Sequence, residues 1–127
     1  MNPLPPYARL LGLRSEFRDG ATLFVMPFRQ EVVGRPGYLH GGAIAGLLEF
    51  AAFEAVGAAI GDPAVAMKPV TVTVDYMRAA NEARGDTYAQ AIIERLGGRI
   101  ANVEALAWQT DRAKPVAAAR INFLLER

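Results

Sequence analysis

The chain has 127 residues, which is typical of one domain with one hydrophobic core, and we expect residues 1–127 to form it. It contains no cysteine and one histidine, which excludes disulfides, thiolate zinc sites and a multi-histidine metal centre within one chain, so we expect neither metal nor cofactor. Fourteen basic and thirteen acidic residues are scattered along the chain and give a net charge of +1, which argues against nucleic acid as a partner.

The N-terminal stretch MNPLPPYARLLGL holds three prolines and lacks a basic region before an apolar run, so it does not resemble a secretory signal. Together with the absence of cysteine, this predicts a cytoplasmic protein. From about Pro5 to Leu11 we expect a short amphipathic helix, because proline is tolerated in a first helical turn.

Two strand-like runs follow, RSEFR and TLFVMPF, and the dipeptide Asp19-Gly20 between them is a strong hairpin signal. The loop RQEVVGRPGYL then leads to a long apolar segment at residues 43–60, AIAGLLEFAAFEAVGAAI. Gly61 and Pro63 are typical of a helix end, so this segment is predicted to be one helix.

The apolar helix contains two carboxylates, Glu49 and Glu54. A central acidic residue costs roughly 2.5 to 3.5 kcal/mol on membrane insertion, so we interpret the segment as a buried helix and expect no membrane partner. Its apolar residues occupy nearly every face, which predicts that a sheet covers one side and a partner subunit the rest.

After the helix the hydrophobic period changes from 3.6 to 2. Val70, Val72, Val74 and Tyr76 fall on one face, which predicts a half-buried strand. Four strand-like runs are recognisable here: VTVTVDYMR, TYAQAIIER, RIANVEALAWQT and PVAAARINFLL. Small side chains would let these strands approach the helix closely, namely Ala101, Ala105, Ala107, Ala117, Ala118 and Ala119. The sum is an α+β protein in which a curved antiparallel sheet of about six strands wraps around one long buried helix, the order of a hotdog fold.

The stretch HGGAIAGLLEFA resembles the motif that opens the central helix of hotdog acyl-CoA thioesterases of the phenylacetate-pathway type. In that family HGG begins the helix and an acidic residue lies nine positions after the histidine, which here gives His40, Gly41, Gly42 and Glu49. The likeness continues through VTVDYMR, RLGGRIANVEALAWQ and KPVAAARINFLL, and so covers residues 20–125. The resemblance implies hydrolysis of an acyl-CoA to a free acid and CoA.

Free N–H groups at a helix N-terminus suit a carbonyl oxygen that becomes negative, so the Gly41 amide is the candidate oxyanion donor. Gly41 and Gly42 would let the thioester approach the backbone, and His40 would either orient the amide or simply cap the helix. Glu49 lies among apolar neighbours, and a partly desolvated carboxylate can act as a base or as a nucleophile. The alternative is a carboxylate at a solvated helix edge.

Nine helical residues separate His40 from Glu49 by about 13 Å, which is too far for both to serve one carbonyl. One of the two groups must then come from another chain, which predicts a homodimer with two equivalent sites. The resemblance implies the same arrangement, and a homotetramer is the larger assembly that we favour.

The chain also departs from the family pattern. Gly34 stands where many relatives carry an asparagine or glutamine that holds substrate or water, and Arg78 stands near a position where some carry serine or threonine. Arginine grips phosphate with two hydrogen bonds, so Arg78, Arg95 and Arg99 are candidate contacts for the phosphates of CoA, which the resemblance places near them.

Other functions remain open from the sequence. The departures at Gly34 and Arg78 are compatible with a non-catalytic module that binds or senses acyl-CoA. A hotdog hydratase or dehydratase also uses a histidine and an acid, although the HGG motif argues against it. The apolar helix could also serve only to assemble subunits.

Overall fold

The computed structural model describes residues 4–127, so residues 1–3 of the predicted domain lie outside the described residues. Within this range six strands form one antiparallel sheet, with one long and one short α-helix. In chain order the elements are α1 (Pro6–Leu10), β1 (Arg14–Arg18), β2 (Ala21–Met26), α2 (Gly41–Ile60), β3 (Ala66–Tyr76), β4 (Thr87–Leu96), β5 (Ile100–Trp108) and β6 (Ala117–Glu126). The strand order is β1-β2-β4-β5-β6-β3, with α2 packed against the sheet. The predicted α+β architecture is confirmed.

The first hairpin forms where its turn residues predict it. Arg18 pairs with Ala21, so the loop consists of Asp19 and Gly20, whose φ angles are 53° and 78°. Positive φ at both central residues fits the twist of the flanking strands, and Asp-Gly adopts it at low cost.

The long helix begins at Gly41 and ends at Ile60. Gly61 follows in the left-handed conformation, with φ of 68°, and its N–H donates to the Gly57 carbonyl at 2.9 Å. A glycine in this position closes the helix without a Cβ clash, as the sequence predicts.

Alanines on the inner face of the sheet let α2 lie close to the strands. Ala105 on β5 pairs with Ala119 on β6, and both are buried. The remaining buried alanines of these two strands are Ala101, Ala107 and Ala117. Ala118 was expected among them, but the alternation of side chains along β6 places it on the opposite face.

One face of α2 is buried and the other is not. The buried face, which packs in the core, comprises Ala43, Ile44, Leu47, Leu48, Ala51, Ala52 and Val56. Glu49 is half-buried, whereas Phe53 and Glu54 are exposed. Within one chain the sheet therefore covers only part of this apolar helix. By length and composition α2 would also pass for a membrane span, as the core helix of a soluble protein can.

The prediction of a half-buried β3 is wrong for the single chain. Only Met67 and Val74 of this strand are partly buried, and Val72 is 43% exposed. The reason is topological, because β3 forms the edge of the sheet and pairs with β6 alone. A register shift between Pro69 and Thr71 also leaves Val70 without a paired residue.

Candidate active site

A tight loop delivers the chain to the start of α2. The Gly34 N–H donates to the Tyr38 carbonyl at 2.9 Å, and the His40 N–H donates to the Val32 carbonyl at 2.8 Å. A Leu39 N–H bond to the Ala80 carbonyl, at 3.0 Å, ties the loop to the segment after β3. Backbone hydrogen bonds on both sides therefore fix the point at which the helix begins.

His40 is exposed and caps α2. Its Nδ1 accepts a hydrogen bond from the Gly42 N–H at 2.9 Å, and its backbone is extended, with φ of −69° and ψ of 132°. The first N–H groups of a helix have no partner within the helix, and the imidazole satisfies one of them. Of the two roles considered for His40, capping of the helix is the one seen in this structure.

The neighbouring amide has no such partner. The Gly41 N–H donates to none of residues 4–127, and it lies at the positive end of the α2 dipole. The Gly41 carbonyl is held instead, because the Tyr76 hydroxyl donates to it at 2.7 Å. An N–H group fixed in this way can donate a hydrogen bond to an oxygen atom of a ligand.

The sequence places Tyr76 on the apolar face of a predicted strand and does not indicate this contact. The partner of its hydroxyl lies 35 residues earlier in the chain. The sequence signal that could have indicated this contact is the position of Tyr76 at the end of a strand, on the same face as Val72 and Val74.

Gly41 opens into a cleft of about 340 Å³ that also contains Arg78. The remaining lining residues are Leu39, Ile44, Tyr76, Met77, Ala79 and Ala80. Arg78 is exposed, and its Nη1 donates to the Pro115 carbonyl at 2.9 Å. The fold therefore brings together two of the predicted site residues, Gly41 at the start of α2 and Arg78 just after the end of β3.

Glu49 lines a different cavity, of about 260 Å³. Its other walls are largely apolar: Pro5, Tyr7, Ala8, Leu11, Leu13, Gly46, Phe50, Phe53, Pro69 and Phe123. Eight residues along the helix place Glu49 about 12 Å from Gly41. One chain thus carries the carboxylate and the unpaired amide in two separate cavities.

Gly34 and Gly42 both lie against His40. A Cβ at Gly34 would stand 3.0 Å from the His40 Cα, and a Cβ at Gly42 would stand 2.9 Å from the His40 Nδ1. Gly34 belongs to yet another cleft, shared with Gln30 and Glu82. An asparagine at position 34 would therefore require the loop to move away from the histidine backbone.

Arg95 and Arg99 lie at the other end of the molecule. The Arg99 carbonyl accepts from the Leu125 N–H at 2.7 Å, near the start of β3, whereas Gly41 lies at the end of β3. Arg95 lines a polar cleft with Glu94, Asn102, Val103, Arg120 and Asn122. A single chain does not bring either arginine to Gly41.

Among residues 4–127 no group of three or more His, Cys, Asp or Glu residues is placed to hold a metal ion.

Residues 36–116 match the family model of the thioesterase superfamily, a range that includes the HGG motif and Glu49. A search of curated proteins gives no significant match.

Solved structures resemble the chain over almost its whole length. A protein from Chromobacterium violaceum is 36% identical, with a TM-score of 0.74 over 96% of this chain and 84% of that one. A protein from Bacillus halodurans, determined with CoA, is 22% identical, with a TM-score of 0.86 over 98% of this chain and 80% of that one. A phenylacetic acid degradation-related protein from Ralstonia eutropha is 23% identical, with a TM-score of 0.83 over 97% and 92%. These likenesses confirm the predicted hotdog fold.

Proposed function

The chain belongs to the thioesterase superfamily, and from that premise we propose that it hydrolyses an acyl-CoA to a carboxylic acid and free CoA at a site shared by two subunits. One observation carries the proposal. The unpaired Gly41 amide at the N-terminus of α2 lies in one cleft, and the half-buried Glu49 carboxylate lies in a separate, apolar cavity of the same chain.

The Gly41 N–H donates to the thioester carbonyl oxygen and stabilises the negative charge that develops there, with help from the α2 dipole. Tyr76 positions this amide by holding the Gly41 carbonyl. Glu49 either takes a proton from the attacking water or attacks the carbonyl carbon itself. On the first route the C–S bond breaks, the CoA sulfur takes up the proton held by Glu49, and the acyl group leaves as the acid. On the second route the C–S bond breaks to leave an anhydride between the acyl group and Glu49, and water then hydrolyses this anhydride to the acid and the free carboxylate, while the CoA sulfur takes up a proton.

The second subunit completes the site through the free edge of β3. If two β3 strands pair antiparallel about an axis near Val72, Tyr76 of one strand faces Lys68 of the other, beside Pro69. Pro69 lines the Glu49 cavity, whereas Tyr76 contacts Gly41. The pairing therefore brings the Gly41 amide of one subunit towards the Glu49 cavity of the other. The homodimer is the minimal active unit, and two dimers would make the homotetramer.

The phosphates of CoA require cations near the thioester. Arg78 lies in the cleft of Gly41. Arg95 and Arg99 are further candidate phosphate contacts, and because one chain keeps both away from Gly41, they would have to come from another subunit. The Bacillus halodurans protein with the same fold was determined with CoA, which supports a CoA ester as the substrate.

The test is CoA release from short, aromatic and long acyl-CoAs by the wild type and by Glu49→Ala. Loss of a general base costs about 10²- to 10⁴-fold in rate, so the variant should lose nearly all activity and remain a folded oligomer. Glu54→Ala is the matched control, because Glu54 is an exposed carboxylate on the same helix and lines neither cavity.

Two results would contradict the proposal. If Glu49→Ala releases CoA as fast as the wild type, the assigned mechanism is wrong. If the wild type binds acyl-CoA but never releases CoA, the chain is a non-catalytic module that binds acyl-CoA. The absence of an amide side chain at Gly34 is compatible with that alternative.

A further inference from the structure

The short helix α1 rests on α2 at Gly46. A Cβ on Gly46 would stand 2.7 Å from the Tyr7 Cε2 and 3.1 Å from the Leu11 Cδ1. Any side chain at this position would displace the tyrosine ring. Glycine in the interior of a helix lowers its stability. At position 46 this cost is offset by the room that glycine leaves for the Tyr7 ring to pack against α2.

Several contacts hold α1 in this place. Ala8 and Leu11 are buried in the core. The Arg29 guanidinium donates to the Leu10 carbonyl and so ties the end of α1 to the loop after β2. The position of Tyr7 therefore follows from a fixed helix, although the residue is 54% exposed.

The Tyr7 ring forms one wall of the cavity that contains Glu49. On another side Phe53 packs edge-on against Phe123, with ring centroids 6.1 Å apart. Those walls belong to α2 and the sheet, whereas Tyr7 belongs to a five-residue helix outside them. Tyr7 is therefore the part of the wall that a substitution can remove without disturbing the core.

The volume of the cavity limits what it can hold. It measures about 260 Å³. An apolar protein cavity of about 150 Å³ already binds benzene, so this one accepts a ring-sized or short branched group. On the α1 side of the cavity a long unbranched chain would meet Tyr7.

We propose that Tyr7, seated on Gly46, closes the acyl cavity and makes the enzyme select compact apolar acyl groups over long chains. The inference rests on the proposed function, because it takes the Glu49 cavity as the acyl site. Tyr7 acts here as a specificity-determining residue and takes no part in bond breaking.

The first experiment measures kcat/KM for a series from butanoyl- to dodecanoyl-CoA and for benzoyl-CoA. The wild type should prefer the short and ring-sized substrates. In Tyr7→Ala the ratio of dodecanoyl- to hexanoyl-CoA hydrolysis should rise by at least about tenfold, as expected when a blocked apolar pocket is opened. Leu10→Ala is the control, because Leu10 is 52% exposed on the same helix and does not line the cavity.

A second variant tests the contact between Tyr7 and Gly46. Gly46→Ala should change the chain-length profile in the wild-type background, since the new methyl group displaces the Tyr7 ring. In the Tyr7→Ala background the same substitution should have almost no further effect. Equal effects in both backgrounds would show that the two residues act independently, which would overturn the inference.

Binding of S-alkyl-CoA thioethers, which cannot be hydrolysed, separates this inference from the proposed function. Calorimetry with S-hexyl- and S-dodecyl-CoA should show a preference for the short ligand that Tyr7→Ala removes, even if no acyl-CoA is turned over. An unchanged preference in Tyr7→Ala would overturn the role of Tyr7 while leaving hydrolysis at Glu49 intact. A wild type that binds neither ligand, or both equally, would also overturn it.

Discussion

Gly41 occupies the first position of α2, where a proline would fit as well as a glycine. Proline is favoured at the first position of helices, where its missing N–H has no partner in the helix. It also requires an extended residue before it, and His40 is extended. A Cβ at Gly41 would meet the Tyr76 ring at 3.4 Å, an ordinary contact. Position 41 thus allows one N–H group to be deleted with little strain.

We predict that Gly41→Pro lowers kcat by about 10²- to 10³-fold, the cost of removing an oxyanion-hole donor. Its free energy of unfolding should stay within about 1 kcal/mol of the wild type, because the deleted N–H makes no internal hydrogen bond. Gly41→Ala keeps the N–H and controls for the added Cβ. Steady-state kinetics and urea unfolding of both variants check this, and equal losses of kcat would refute the amide as the donor.

Among single residues, the features that the sequence indicated have local causes, and for His40 the cap was one of two alternatives. The cap at His40 depends on an N–H two residues away, and the turn at Asp19 depends on its own φ angle. Tyr76 contacts Gly41, which lies 35 positions away in the chain. Gly46 lies against Tyr7, which is 39 positions away. No local pattern encodes such partners, so their roles emerge only once the strands and helices are placed.

The two edges of the sheet differ in length and chemistry. β1 has only five residues, and a short edge strand offers little for another chain to pair with; both edges carry an ion pair at 2.7 Å, Arg18–Glu16 on β1 and Lys68–Glu126 between β3 and β6. β3 has eleven residues and exposes Val70 and Val72. A long apolar edge is a template for another strand, so β3 is the edge at which a second subunit would pair.

We predict that Val72→Lys dissociates the oligomer, because pairing about an axis near this residue sets the two new ammonium groups close together in an apolar interface. CoA release should fall with dissociation, while the far-ultraviolet circular dichroism stays that of the wild type. Phe17→Lys makes the same change on β1, where the phenylalanine is 78% exposed, and should leave both mass and activity unchanged. Light scattering measures the mass, and an intact Val72→Lys oligomer would contradict pairing through β3.

Elements defined by their own sequence were predictable, and their order in the sheet was not. Asp19-Gly20, Gly61 and the alternation in β5 and β6 set the hairpin, the helix end and the buried faces. The exposure of β3 depends on the strand after α2 crossing to the far edge of the sheet. Alternating valines indicate a strand with one apolar face, but a neighbouring subunit can cover that face as well as a helix can.

For the whole molecule, the rigidity of α2 decides how many subunits one site needs. Gly41 and Glu49 lie on one continuous helix, so no local movement shortens the distance of about 12 Å between them. Under the proposed function each group therefore serves a different thioester, and each site would take one group from each subunit. This arrangement makes a prediction about mixtures of two inactive proteins.

We predict that Glu49→Ala and Gly41→Pro, each inactive alone, regain activity when they are mixed, dissociated and reassembled. In a heterodimer one site receives both substitutions, and the other pairs the intact Glu49 of one subunit with the intact Gly41 of its partner. Half of the dimers in an equal mixture are heterodimers, so about a quarter of the wild-type specific activity should return. Mixing Glu49→Ala with a Glu49→Ala/Gly41→Pro chain is the control, because no site then has an intact carboxylate. If each site lay within one chain, the first mixture would stay as inactive as the control.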